Sequence, residues 1–166
     1  KPEIKAAWIE RGNPVIQLPG SGKVRKAFES IPFKVVVEQF MTDTAAMADI
    51  ILPAKGVFEQ SDIVSSYWHP YVQFKPAVCE PPGEVAPESE IYYHLAVMMN
   101  LCTRENNPFP EPGNTNFENW LEKRIVAGSI TLDDLRKGPV IPGSTEQIAW
   151  SDFKFKTPSG KFEFVK

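Results

Sequence analysis

The chain has 166 residues, of which 42% are hydrophobic and 23% charged, and its formal net charge at pH 7 is −3. These values are typical of a globular chain with one domain, or one domain and part of another. The net negative charge gives no electrostatic reason to expect nucleic acid or an anionic membrane as a partner. No apolar run approaches the roughly 20 residues that a membrane-spanning helix needs, so direct membrane insertion is not expected.

Cysteine and histidine, the usual ligands of structural zinc, are sparse, with two of each. Cys79 and Cys102 are too few and too far apart for a zinc motif. His69 lies between Trp68 and Pro70 without a second histidine or an acid at a suitable spacing, which favours a histidine packed in an aromatic loop. The sequence therefore predicts no metal site.

The first predicted element is a strand over residues 4–9, and it runs into a Gly12-Asn13-Pro14 turn. Glycine lets the backbone turn tightly and approach a ligand, asparagine offers a donor and an acceptor, and proline stiffens the exit. The residues alone leave two interpretations open, a plain β-turn or a ligand loop at the end of a strand.

A helix is predicted next, because Val24, Ala27, Phe28 and Ile31 have helical spacing and proline follows them. The preceding Gly-Ser-Gly-Lys segment lacks the hydroxyl residue and the earlier glycine of a phosphate-binding P-loop. It is therefore interpreted as an ordinary loop.

The most informative stretch is residues 34–53. It opens with the β-branched run Lys34-Val35-Val36-Val37, which predicts a buried strand. Glu38 then puts a carboxylate at the carboxyl end of that strand, where open α/β sheets bind ligands.

The second half of this stretch predicts a short helix over residues 45–47, capped by Thr42 or Thr44, and a strand over residues 50–52 that ends at Pro53. The order of strand, loop, helix, strand, short helix and strand indicates a parallel sheet with crossover helices.

Residues 56–82 are aromatic and interrupted by proline, which predicts an irregular loop followed by an extended strand over residues 71–78. A helix starting near Pro87 is predicted next. Its apolar stripe, which we interpret as core filler, comprises Ile91, Leu95, Met98, Met99 and Cys102.

Two further helices are predicted, one over residues 117–125 ended by Gly128, and one over residues 131–135 with Thr131 and Asp134 at capping-box spacing. The tail alternates phenylalanine with polar residues around Thr-Pro-Ser-Gly, which predicts a β-hairpin. Because nothing would cover these phenylalanines and no methionine opens the chain, we expect a piece of a longer protein.

Taken together in order, these features resemble the third domain of the molybdopterin oxidoreductases that use a bis-guanine-dinucleotide cofactor, the dimethyl-sulfoxide-reductase family. The resemblance is carried by the Gly-Asn-Pro turn, the run VVVEQFMTDTAAMADIILP, Glu59, the segment PPGE, the helix PESEIYYHLA and the segment TPSGKFEF. It implies an α/β fold, a Rossmann-like αβα sandwich with a mainly parallel sheet, plus an extended loop and strand excursion and a C-terminal β-hairpin.

The resemblance also implies that the domain binds the guanosine-diphosphate arm of one molybdopterin guanine dinucleotide. Glu38 would accept hydrogen bonds from ribose hydroxyls, and Glu88 from the N1–H and N2–H groups of guanine. Both glutamates stand where the family often has aspartate, and Gln60 lacks the positive charge that some members carry. Carried over position by position, the expected cofactor contacts are Gly12, Asn13, Pro14, Val37, Glu38, Gln60 and Glu88.

The same resemblance places the catalytic metal ligand upstream of this chain, so no catalytic residue is expected within it and the piece alone should be inactive. In the parent, a prokaryotic enzyme of anaerobic respiration, molybdenum or tungsten would carry out the redox step while this domain orients the cofactor. The other domains of the same polypeptide are the expected partners. An iron–sulfur cluster elsewhere in the parent and an iron–sulfur electron-transfer subunit are left open.

Residues 1–138 are expected to form the cofactor-binding domain, and residues 139–166 a linker and hairpin leading to a further C-terminal domain. Two alternatives remain: a cofactor-free structural domain of a related respiratory-complex subunit, and a free-standing nucleotide-binding α/β module. Asn13, Glu38 and Glu88 favour cofactor binding, because a purely structural domain does not need them. The substrate, the choice of metal and the compartment, cytoplasm or periplasm, stay open.

Overall fold

The computed structural model describes residues 3–125, 130–142, 148 and 150–164. These residues form two compact units. The first extends to Ser61 and continues from Pro76 to Trp120, and the second comprises Asp62–Lys75 and the described residues from Leu121 onward.

The first unit is built on a three-stranded parallel sheet. Its strands, in spatial order, are β1 (Ala6–Glu10), β2 (Phe33–Glu38) and β3 (Ile50–Pro53). Glu10 pairs with Val37 and Glu38 pairs with Pro53, so the three strands end at nearly the same level. A further parallel bridge joins Ala54 to Ala86 just beyond β3.

Helices connect and flank these strands. Between β1 and β2 lie α1 (Pro14–Gln17) and α2 (Ser21–Glu29), and a 3-10 helix (Ala45–Met47) precedes β3. The core of the unit is a cluster of Val15, Phe28, Val36 and Ala45, all at most 6% exposed. Burying side chains of this kind contributes roughly 1.5–3 kcal/mol for each large one, so this cluster is what fixes α1 and α2 against the sheet.

The rest of the first unit adds α3 (Glu88–Met98) and the start of α4 (Asn114–Lys123). Tyr92 on α3 lies beside Trp8 of β1, with ring centroids 5.9 Å apart, and stacks on Phe109 at 5.2 Å. These aromatic contacts hold α3 near the end of β1.

The second unit contains an antiparallel pair, β4 (Asp62–Val64) and β5 (Gln73–Lys75), and α5 (Leu132–Lys137). Leu132 and Leu135 of α5 are 4% and 2% exposed. Thr131 caps α5 through the capping box that the sequence predicts, and Gly138 follows the helix.

The parallel three-stranded sheet confirms the predicted mixed α/β fold. Strands β4 and β5 lie within the predicted irregular segment, and β5 is shorter than the strand predicted over residues 71–78. Strand β3 ends at Pro53 as predicted, although Pro53 is itself the last residue of the ladder, paired with Glu38. The four-residue helix α1 was not predicted. Gly128, predicted to end a helix, falls outside the described residues.

The predicted C-terminal hairpin is wrong as a pair of strands. No strand forms among residues 150–164, all of which are described. A turn is present, with the N–H of Gly160 donating to the carbonyl of Thr157 at 3.0 Å. Phe153 has a left-handed φ of 56°, which breaks the extended arm that a ladder needs, and an isolated two-stranded ribbon is marginally stable at best.

The stripe predicted as core filler is also partly wrong, because Met98 and Met99 are 80% and 58% exposed. The residue of α3 that is buried is Tyr93, at 5%. Helical spacing therefore located the helix, and Ile91 and Leu95 of the predicted stripe are half-buried, but the spacing missed Tyr93, whose aromatic ring buries a large area. Among the described residues, no helix is both long and apolar enough to cross a membrane.

Candidate functional site

The candidate site is the carboxyl edge of the parallel sheet, by which we mean the residues at and just after the ends of its strands. They comprise residues 10–14 after β1, 38–40 after β2, 54–56 after β3, and 86–88 after the bridge to Ala54. Because parallel strands end at one level, these segments meet at one edge.

Asn13 is held in place by a buried hydroxyl. Thr44 is 0% exposed, and its Oγ1 donates to Oδ1 of Asn13 at 2.6 Å while accepting the main-chain N–H of Val15 at 3.2 Å. This arrangement uses the oxygen of the Asn13 amide and leaves its Nδ2 hydrogens available to a ligand, since no described residue accepts from them.

The turn that contains Asn13 differs from the predicted one. The left-handed residue is Arg11, with φ of 51°, and not Gly12. A Cβ added at Gly12 would meet only Glu10 O at 3.7 Å and Gln17 Oε1 at 3.8 Å, which are ordinary contacts. The protein itself therefore does not require glycine at position 12. Pro14 occupies the first turn of α1, as its fixed φ favours.

Glu38 follows the buried strand β2. Its Oε1 accepts the main-chain N–H of Gln39 at 2.7 Å and, at the long distance of 3.4 Å, that of Phe40. Its second carboxylate oxygen accepts no hydrogen bond from a described residue. Val37, immediately before it, is 2% exposed, so its side chain belongs to the core beneath the edge.

Glu88 is joined to the end of β1 by an ion pair. Nε of Arg11 donates to Oε1 of Glu88 at 2.8 Å, and the Glu88 side chain is 16% exposed whereas that of Arg11 is 73% exposed. One turn further along α3, the hydroxyl of Tyr92 donates to the carboxylate of Glu10, which also accepts from Trp8 Nε1 at 3.2 Å. Burial, and then the Glu10 carboxylate, raise the pKa of Tyr92 to about 12.

Gln60 lies in a small pocket of the first unit, which shares Lys55 and Pro87 with the carboxyl edge. The pocket has a volume of about 30 Å³ and is lined by residues that include Lys55, Ser89 and Glu90. This volume suits one or two water molecules and is far too small for a nucleobase. Oγ of Ser89 is buried without a hydrogen-bond partner, which fits a water-sized polar pocket.

Comparison with known proteins identifies the family. Residues 1–97, more than half of the chain, match the family model described as molybdopterin oxidoreductase. This chain belongs to that family. It is 38% identical, over 99% of its length, to the probable oxidoreductase YyaE of Bacillus subtilis, and 34% identical, over 98%, to the probable oxidoreductase YoaE of the same organism.

A solved structure agrees with this assignment. Acetylene hydratase from Pelobacter acetylenicus matches 95% of this chain with a TM-score of 0.71 and 25% identity. The chain covers 21% of that protein and 24% of each Bacillus relative, so it spans about a quarter of the length of the curated relatives that it matches.

Within this molybdopterin oxidoreductase chain, the structure brings four predicted contacts to the carboxyl edge: Gly12, Asn13, Glu38 and Glu88. Pro14 begins the adjoining helix, Val37 lies beneath the edge, and Gln60 lines the small pocket. No group of three or more His, Cys, Asp or Glu residues that could hold a metal ion occurs in the part of the chain that is described.

Two residues were not assigned to the site from sequence: Arg11, which lies on the edge, and Thr44, which is buried beneath it. Thr42 and Thr44 were both predicted as caps of the short helix. The side chain that caps it is that of Thr42, whose Oγ1 accepts the N–H of Ala45 at 3.1 Å, and Thr44 makes no such contact. The sequence did not distinguish Thr42 from Thr44, because the two hydroxyls are two residues apart and either could cap the short helix. For Arg11 the only signal in the sequence was its position directly after a predicted strand.

Proposed function

We propose that the carboxyl edge binds the guanosine-diphosphate arm of a molybdopterin guanine dinucleotide, within a larger molybdenum or tungsten oxidoreductase. In this proposal the first unit acts as a Rossmann-like cofactor domain. The observation that carries it is the meeting of an oriented asparagine amide, two carboxylates with accessible acceptor oxygens, and a glycine that the fold does not need.

The donors and acceptors of the edge suit this ligand. Nδ2 of Asn13 can donate to a phosphate or ribose oxygen because Thr44 already holds the amide oxygen. The second oxygen of Glu38 can accept from a ribose hydroxyl, as an acid does at the corresponding place in dinucleotide-binding sheets. Glu88 retains one oxygen beyond its contact with Arg11 and can accept from a guanine N–H group.

Gly12 adds steric support. Glycine at a position with neither positive φ nor crowding by protein atoms is explained if a ligand approaches the backbone there. Pro14 would keep the turn rigid, and Val37 would support Glu38 from below. Gln60 contributes in this proposal only through water in its small pocket.

When bound, the molybdopterin cofactor would supply the metal that carries out two-electron chemistry. The residues of this chain would hold and orient the distant arm of that cofactor. The metal ligand would lie elsewhere in the parent chain, as would any iron–sulfur cluster, and an iron–sulfur electron-transfer subunit would be a partner of the parent. The chain by itself is then a binding domain without activity.

The test is titration of the chain with GDP, with GMP, ADP and ATP as comparisons, followed by calorimetry and by amide shifts in NMR. The expected result is a preference for GDP over ADP, with shifts at Asn13, Glu38 and Glu88. Gly12→Ala should fold like the original chain yet bind GDP more weakly, because its added methyl group meets protein atoms only at ordinary distances. Failure to bind any of the four nucleotides would favour a cofactor-free structural domain.

A further inference from the structure

We propose that Arg11 is the cation that meets the diphosphate of this arm, and that Glu88 is the positioning residue that holds its guanidinium. The proposal deepens the function proposed above and rests on it. Nothing in the sequence patterns assigned Arg11 to the site.

The turn after β1 has few main-chain donors to offer a phosphate. The N–H of Asn13 donates to Gln17 Oε1 at 2.9 Å, and that of Val15 donates to Thr44 Oγ1 at 3.2 Å. Pro14 has no N–H group. Phosphate sites at the start of a helix depend on such groups being accessible. Beside the N–H of Gly12, from which no described residue accepts, the charge of a diphosphate therefore needs a side-chain cation.

The edge is also acidic. Glu10, Glu38 and Glu88 place three carboxylates on it, and the cations directly after the strands are Arg11 and Lys55. Lys55 lines the small pocket beside Gln60. A diphosphate brought against these carboxylates would be repelled unless a cation lay between them, and Arg11 follows the same strand as the Asn13 turn.

Arg11 combines exposure with a fixed position. Its side chain is 73% exposed, so a ligand can reach it, yet its Nε is anchored on Glu88 at 2.8 Å. Its backbone is left-handed, with φ of 51°, a conformation that non-glycine residues rarely adopt. Arginine presents a planar fork of donors that matches phosphate geometry, and a guanidinium bound to a carboxylate on one side can still donate on another.

Glu88 is itself well anchored for this role. It lies in the first turn of α3, and one turn later Tyr92 is tied to Glu10, the last residue of β1. The contact of α3 with β1 therefore sets the direction of the Arg11 side chain. In this arrangement Glu88 acts on the ligand through Arg11, and its Oε1 is not available for a two-point contact with guanine unless Arg11 shares it.

The experiment compares GDP with guanosine, which lacks the diphosphate, on the chain and on Arg11→Gln. Arg11→Gln is expected to lower GDP affinity about tenfold or more, the loss typical of one hydrogen bond to a charged group, and to leave guanosine affinity unchanged. The GDP affinity of Arg11→Lys should lie between that of the unaltered chain and that of Arg11→Gln. Lys5→Gln is the matched control, because it removes an exposed, ion-paired cation at the opposite, amino end of β1 and should change neither affinity.

Glu88→Gln separates the two roles that Glu88 can have, positioning Arg11 and accepting from guanine directly. As a positioning residue it should weaken GDP binding less than Arg11→Gln does, add no further loss in the Arg11→Gln background, and keep the preference for GDP over ADP. Loss of that preference would overturn the positioning role and leave Glu88 as the guanine acceptor named under the proposed function. GDP affinity unchanged in Arg11→Gln, or lowered equally for guanosine, would overturn the assignment of Arg11 while the proposed function stands. Failure of the unaltered chain to bind GDP would overturn both.

Discussion

The two units differ in how their sheets are stabilised. In the first unit β2 lies between two parallel partners, and Val35, Val36 and Val37 are at most 7% exposed. In the second, β4 and β5 have three residues each and are only half buried or exposed, and the buried residues there come from helices, such as Leu132 and Leu135. The comparison indicates that the first unit can fix the directions of polar side chains at its edge through the buried strand β2, whereas the strands of the second unit have no buried side chain that could do so.

The largest expected effect tests this difference directly. Val36→Ala removes two methyl groups at a position that is 0% exposed and should lower the free energy of unfolding by about 2–3 kcal/mol. Val64→Ala, the same change in half-buried β4, should lower it by less than about 1 kcal/mol. Urea unfolding followed by circular dichroism measures both. Equal losses would mean that the two sheets are equally important for stability.

The next effect concerns the buried hydroxyl that links the core to the edge. Thr44→Val keeps the shape of the side chain but leaves the Val15 N–H and the Asn13 oxygen without their partner, and should lower the unfolding free energy by roughly 1–3 kcal/mol. Thr44→Ser keeps the hydroxyl and should retain most of that stability and the GDP affinity.

NMR of the Asn13 side-chain amide can show whether Thr44 orients that amide or only packs in the core. In Thr44→Val the Nδ2 hydrogens of Asn13 should move to the chemical shifts of a mobile, solvent-exposed asparagine side chain. In Thr44→Ser their chemical shifts should stay as in the original chain. If both variants leave Asn13 unchanged, Thr44 stabilises the fold without orienting the site.

Features of the fold that depend on residues close together in sequence could be predicted, and features that depend on distant residues could not. The β2 strand was predicted because its β-branched run is local, and the capping box of Thr131 and Asp134 because its two members are three residues apart. On α3 the buried residue is Tyr93 and not the predicted methionines. Which residue is buried depends on what packs against the helix, and the spacing of apolar residues along the helix does not show this.

The site shows the same limit more strongly. Position-by-position resemblance led to Asn13, Glu38 and Glu88, and their roles as cofactor contacts remain predictions. The contacts that orient them join residues far apart in sequence: Thr44 to Asn13, 31 positions away, and Glu88 to Arg11, 77 positions away. Such pairs depend on how the strands and helices pack in space, and the spatial arrangement cannot be inferred from one sequence alone.

A third effect is confined to alkaline pH and concerns the first unit. Because the folded pKa of Tyr92 is raised to about 12, from an ordinary value near 10, its neutral form is favoured by folding. The stability that it contributes is fully present below the unfolded pKa and is lost as pH rises through about 12. Absorbance titration of tyrosinate should show a late component that Tyr92→Phe removes and that Tyr67→Phe, at a fully exposed position, leaves in place. A late component that persists in Tyr92→Phe would mean that another tyrosine titrates late, and would contradict the assignment of the raised pKa to Tyr92.

The smallest effect is its acidic counterpart in the second unit. The side-chain hydroxyl and then the main-chain N–H of Thr131 donate to Asp134 and hold the pKa of that carboxyl below its usual value. The stability from its ionised form is therefore present above the unfolded pKa, near 3.9, and is lost as pH falls through the lower folded value. Amide exchange in residues 132–137 should accelerate over that acidic window, and both Asp134→Asn and Thr131→Val should make it less dependent on pH. Because this capping box is exposed and closed within four residues, the change should stay within α5, with no loss of protection in β2. Parallel loss in β2 would show that the two units unfold together and that the contrast between them does not extend to their stability.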